Sequence, residues 1–177
     1  MIDALPIDPT QLTGLLVFGC AALACAFAGR VCSERRWWQL AGVSSVCMLE
    51  VAFGLRHRAH DLADALLQVG GWYDARSPAQ VLLLAIVALL AAGTLGWLLS
   101  LRGTAAEIRV GAAASMAALW LFGIEAISLH AVDALMYTHI GPVLAIGWAW
   151  AALALVIAAA ALVAAKVSRE SVPAPRR

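Results

Sequence analysis

Five stretches, about residues 9–30, 37–55, 77–101, 110–130 and 142–166, are apolar almost throughout. Each is long enough to cross the roughly 30 Å hydrocarbon core of a bilayer as a helix. A helix satisfies its own backbone in lipid, so this pattern predicts an all-α polytopic membrane protein, a bundle of five transmembrane helices forming one membrane domain over residues 1–177. Helix starts are marked by Asp8-Pro9 with Gln11 and by Ser77-Pro78 with Gln80, the capping-box spacing with proline early in the helix. Gly141 and Pro142 open the last stretch.

Composition agrees with this pattern. Of 177 residues 63% are hydrophobic and only 13% charged, and the mean hydropathy is +0.88. Soluble domains carry about a quarter charged residues, so a water-soluble enzyme and a nucleic-acid binder are excluded, while a membrane enzyme stays open and less expected than a binding role. The four cysteines form no CxxC pair and read as small apolar packing residues. The amino-terminal segment carries Asp3 and Asp8 and no base, unlike a secretory signal, so the first span is expected to remain in the protein.

Basic residues orient the spans. Arg30, Arg35, Arg36, Arg102, Arg109, Lys166, Arg169, Arg176 and Arg177 fall on one side, and Arg56, Arg58 and Arg76 on the other. The positive-inside rule therefore predicts a cytoplasmic carboxyl terminus and an external amino terminus. Trp37 and Trp38 lie where an inner aromatic belt would be, Trp72 and Tyr73 where an outer one would.

The same topology sorts the acids and histidines. Glu50, Asp61, Asp64, Glu125 and Asp133 fall on the outer half, as do His57, His60, His130 and His139. Glu50 and Glu125 lie within the second and fourth spans, where an ionisable group costs roughly 2.5–3.5 kcal/mol at the bilayer centre and turns to the bundle interior or a wet cavity. If the second helix continues past Leu55 as an outer amphipathic helix over about 56–69, then Glu50, His57, Asp61, Asp64 and Gln68 lie within about 40° of one direction. Glu125, His130 and Asp133 repeat the theme over about 140° of the fourth helix. Tyr73, Arg76 and Gln80 stand between these two groups, with Arg76 placed to neutralise an acid. ADALL at 63–67 and VDALM at 132–136 form a faint internal echo.

The segments YDARSPAQ (73–80) and SLHAVD (128–133) carry the patterns Tyr-x2-Arg-x3-Gln and Ser-Leu-His-x2-Asp. In these patterns the chain resembles a group of small multi-pass bacterial membrane proteins. The resemblance implies a membrane location and no particular activity.

Three functions fit these features. The expected one is an outward-facing Glu/His/Asp cluster that binds a polar ligand or a metal ion. Imidazole with carboxylate suits a transition metal, and haem fits less well because His57 and His130 stand near span ends. The alternative is an accessory or assembly subunit, with a membrane-protein partner or a second copy packed on small-residue helix faces. A proton-coupled carrier is a third reading, weakened because the inner halves of the spans offer little beyond Ser44, Ser45, Thr94, Ser100 and Ser115.

Overall fold

A computed structural model describes residues 8–55, 58, 61, 65, 76–127 and 130–171. The described chain is mostly helical. Helix α1 spans Pro9–Cys32, α2 Arg35–Phe53 and α3 Arg76–Ser100. A 3-10 turn at Leu101–Gly103 follows, then α4 at Ala106–Ile127 and the short α5 at His130–Met136. The two-residue strands β1 (His139–Ile140) and β2 (Val143–Leu144) precede α6 at Ala145–Glu170. Among the described residues three helices, α1, α4 and α6, are long and apolar enough to cross a membrane. Helix α2 is more polar, with Arg35, Arg36 and Glu50 in its 19 residues.

Helix α1 packs on both α2 and α6, α4 packs on both α6 and α2, and α3 lies against α4. Four helices thus close a ring, with α3 outside it. Contacts give the directions. Gly14 of α1 meets Trp150 of α6, and Phe27 meets Arg169, so α1 and α6 run parallel. Gly14 also meets Val51 while Gly29 meets Trp38, so α2 runs the opposite way. Leu40 and Trp37 beside Gly111 set α4 parallel to α2.

On α1 the buried positions Thr10, Gly14, Phe18, Ala21, Cys25 and Ala28 repeat every three or four residues, the stripe expected of helices in extended contact. Its partner stripe on α6 is rich in alanine with Gly147, Trp150 and Ile157. Small residues let backbones approach closely, and in lipid that packing replaces the hydrophobic driving force. The ring encloses Phe18, Phe122 and Trp150, with ring centroids 5.8 Å and 5.4 Å apart. Meanwhile Leu16, Leu23, Leu89, Leu155 and Leu162 point outward and are exposed. A helix that is apolar all round belongs in lipid or in the core of a larger protein.

The first helix start is as expected: Gln11 N–H donates to Asp8 Oδ2 at 3.3 Å, with Pro9 opening α1. Two others differ. Helix α3 is already formed at Arg76, so Ser77 is its second residue and not its cap. Gly141-Pro142 does not open the last helix. It is the turn of a hairpin pairing His139 with Leu144 and Ile140 with Val143, and α6 begins at Ala145. Gly141 has φ +68, and the proline ring fixes φ near −65°, the pairing a two-residue type II′ hairpin turn takes.

A third difference bears on the site. Helix α2 ends at Gly54, which adopts the left-handed conformation (φ 57, ψ 41) while its N–H still donates to Glu50 O. Leu55, Arg58, Asp61 and Ala65 are helical again, with Arg58 N–H donating to Gly54 O at 3.2 Å. The single helix required to align Glu50 with His57, Asp61 and Asp64 is therefore interrupted. Glycine is what permits this, because it reaches positive φ without a Cβ penalty.

Candidate functional site

Basic residues gather at one of the structure's two ends, where Glu34, Glu107 and Glu170 also stand. Arg30, Arg35, Arg36, Arg102, Arg109, Lys166 and Arg169 stand at the end formed by the C-termini of α1, α3 and α6 and the N-termini of α2 and α4. The opposite end carries Asp8, Glu50 and Glu125, with Arg58 beyond the Gly54 break. Between the ends, the buried polar residues among those described are Ser44 and Ser115. Ser45 donates to Ala41 O at 2.9 Å and Thr94 to Ala91 O at 2.8 Å, so these hydroxyls serve their own helices.

At the acid-bearing end lies an open pocket of about 430 Å³. Its polar lining is Asp8, Thr10, Gln11, Arg58 and Tyr137, and Val51, Ile146 and Trp150 are among its apolar walls. The local sequence explains how it is held. Gln11, one turn into α1, sends its side-chain amide across to Val51 O at 3.2 Å and Ala52 O at 3.3 Å. It thereby caps carbonyls at the end of α2 that have no partner within their own helix. Thr10 Oγ1 accepts from Leu144 N–H at 3.1 Å and ties the hairpin to the start of α1. Trp148 Nε1–H donates to Ile140 O at 3.0 Å and steadies the hairpin from α6. The floor is Trp150, whose ring lies tilted against Phe122 at 5.4 Å between centroids.

Of the residues singled out from sequence, Glu125 is only 5% exposed. It shares the core-facing stripe of α4 with Ala118 and Phe122. Glu50 is half-buried in the last turn of α2. Asp61 is exposed on the helical segment past Gly54, so it does not share a face of α2 with Glu50. His130 and Asp133 belong to α5, a separate element from the α4 that carries Glu125. For His130, Asp133, Arg76 and Gln80 only the helical backbone is described, while His57, Asp64 and Tyr73 lie outside the described residues. Among the described residues no group of three His, Cys, Asp or Glu is placed to hold a metal ion.

Sequence reasoning gave Asp8 and Gln11 only a capping role and left out Thr10, Tyr137 and Trp150. No local pattern links these residues, which are brought together by the packing of α1 on α6 and by the turn that carries Tyr137 before the hairpin. Compared with protein-family models, curated proteins and solved structures, the chain shows no significant match.

Proposed function

We propose that the chain is a small integral protein of a bacterial inner membrane. All five long helices cross the bilayer, with the amino terminus outside and the carboxyl terminus in the cytoplasm, and the outward end binds a polar small molecule. The observation that supports this reading is the pocket at the acid-bearing end. It sets a carboxylate (Asp8), a guanidinium (Arg58) and neutral hydrogen-bonding groups (Thr10, Gln11, Tyr137) around one space above an aromatic floor. Such sites combine apolar walls with a few placed polar groups. An acid and a base on one lining suit a ligand carrying both charges, such as a free amino acid. The basic collar at the opposite end supports the orientation.

Metal binding is the variant of this reading that rests on Glu50, His57, Asp61, Asp64, Glu125, His130 and Asp133, with Tyr73, Arg76 and Gln80 in support. A transition metal is the form it favours over haem.

One experiment separates the forms. Full-length protein purified in mild detergent is analysed for metal content, then its thermal unfolding is followed with amino acids, with zinc(II) and with copper(II). Stabilisation by an amino acid that is lost in Arg58→Ala and Asp8→Asn supports the pocket. Stoichiometric metal lost in Glu125→Gln supports the metal form. Neither response, in protein that unfolds cooperatively, would leave the accessory reading. That second reading is favoured by Gly93 and Gly96 of α3, each with nothing within 4 Å of a Cβ built upon it, which leaves room for another helix to approach. The carrier reading draws no support from the mostly apolar core between the two ends.

A further inference from the structure

At the basic end a second cavity, of about 310 Å³, opens between α2, α3 and α4. Arg36 and Gln39 stand at its α2 side, while Trp97, Leu101, Ile108 and Met116 line it from α3, the 3-10 turn and α4. A further space of about 220 Å³ lies between α3 and α4, lined by Leu90, Leu119, Trp120 and Gly123 and again by Met116. The two adjoin at Met116, and we read them as one cleft up the side of α4. From Ile108 to Gly123 the helix rises about 22 Å at 1.5 Å per residue. One leaflet's share of the hydrocarbon core is about 15 Å, so the cleft accommodates the full depth of one acyl chain.

Its chemistry changes along this length. The deep part is apolar, with the Thr94 hydroxyl already donating to Ala91 O. The mouth is basic: Arg36 is half-buried and makes no ion pair among the described residues, and Arg35, Arg102 and Arg109 are exposed at the same end. Two acids are also near. Glu34 caps α2, accepting from Arg36 backbone N–H at 3.5 Å, and Glu107 lies in the first turn of α4. A groove between α1 and α6 at this end is differently engaged, since Arg169 lies over the Phe27 ring at 5.0 Å and Lys166 faces Glu170 at 3.9 Å.

We propose that the α2/α3/α4 cleft is a binding site for an anionic phospholipid, with one acyl chain between α3 and α4 and the phosphate at Arg36. Basic pockets between membrane helices at the positively flanked side are suited to such headgroups. This site is independent of whatever the opposite end binds.

The test uses full-length delipidated protein in mild detergent, with native mass spectrometry and thermal unfolding as readouts. Phosphatidylglycerol should remain bound under activation that strips phosphatidylcholine of the same acyl chains, and it should raise the unfolding temperature more. Free glycerol phosphate should neither bind nor compete. Arg36→Gln should lower phosphatidylglycerol occupancy about fivefold, the effect of one base at an anionic surface, while Arg102→Gln should change it much less. Thr94→Phe, which fills the deep part, should lower occupancy by both lipids; if that variant does not fold, the two arginine variants still decide. Equal retention of the two lipids, competition by glycerol phosphate, or equal losses in the two arginine variants would overturn the proposal.

Discussion

Gly14 stands where α1 meets two bulky neighbours. A Cβ there would lie 2.9 Å from Trp150 Cε3 and 2.9 Å from Val51 Cγ1, closer than carbon atoms pack. Gly14→Ala should therefore destabilise the protein by about 1–3 kcal/mol through overpacking. Gly42→Ala is the control: nothing lies within 4 Å of its added Cβ, and the gain in helix propensity should make it neutral or stabilising by about 0.5–1 kcal/mol. Thermal unfolding in detergent would read both, and equal effects would contradict this account of α1 packing. Gln11 offers a polar counterpart. Gln11→Leu removes hydrogen bonds to Val51 O and Ala52 O, at about 0.5–1.5 kcal/mol each. Gln11→Glu should cost more than Gln11→Leu near neutral pH, because a carboxylate would then face two carbonyl oxygens. Small residues on the helix faces were visible in the sequence, but which glycine a neighbour fills was not, since the neighbours of Gly14 come from α2 and α6.

Helix ends show how far local signals reach. Asp8-Pro9 works as its sequence suggests, because an N-cap needs only the following turn of the same chain. Gly141-Pro142 fits either a helix start or a tight turn, and the choice fell to cross-strand pairing of His139 with Leu144 and Ile140 with Val143. Gly54 is the costliest of these ambiguities for the site. The alignment of Glu50 with Asp61 holds only along an unbroken helix, and a glycine in the middle of an apolar run does not announce whether it adopts positive φ. Gly54→Ala should destabilise by about 1–2 kcal/mol, the penalty of an L-residue in the left-handed region. Asn, which tolerates that region, should recover part of the loss. An alanine variant as stable as the parent would mean that α2 runs straight through this position, restoring the face that the sequence suggests.

The ring of α1, α2, α4 and α6, with alternating direction in successive long helices, divides charge between two ends. In the proposed orientation Ser171, after α6, faces the cytoplasm, whereas Thr138, before β1, faces outward. A cysteine placed at Ser171 in a chain with its four native cysteines replaced by serine or alanine should be blocked only after the membrane is permeabilised. One placed at Thr138 should react with an impermeant thiol reagent in cells whose outer layer alone is opened. The reverse pattern would invert the topology and turn the acid-bearing pocket to the cytoplasm.

Hydropathy and charge were legible along the chain because lipid imposes a demand on each segment separately: enough apolar length, and few charges within it. Among the described residues, three helices apolar enough to cross a membrane and the gathering of bases at one end follow from that local demand. The ring order, with α3 outside it, depends on which faces meet, and the small-residue stripes of a chain so rich in alanine permit several pairings. The pocket is likewise a product of contact between distant segments. Asp8, Thr10 and Gln11 come to Tyr137 and Trp150 only because α1 and α6 run parallel, with their first turns joined by Thr10 and Leu144. Sequence spacing along one helix could point to Glu50 and Glu125 as membrane acids. Their inward turn was expected, and Glu125 is buried; the bend at Gly54 was not, because it is decided by one backbone dihedral.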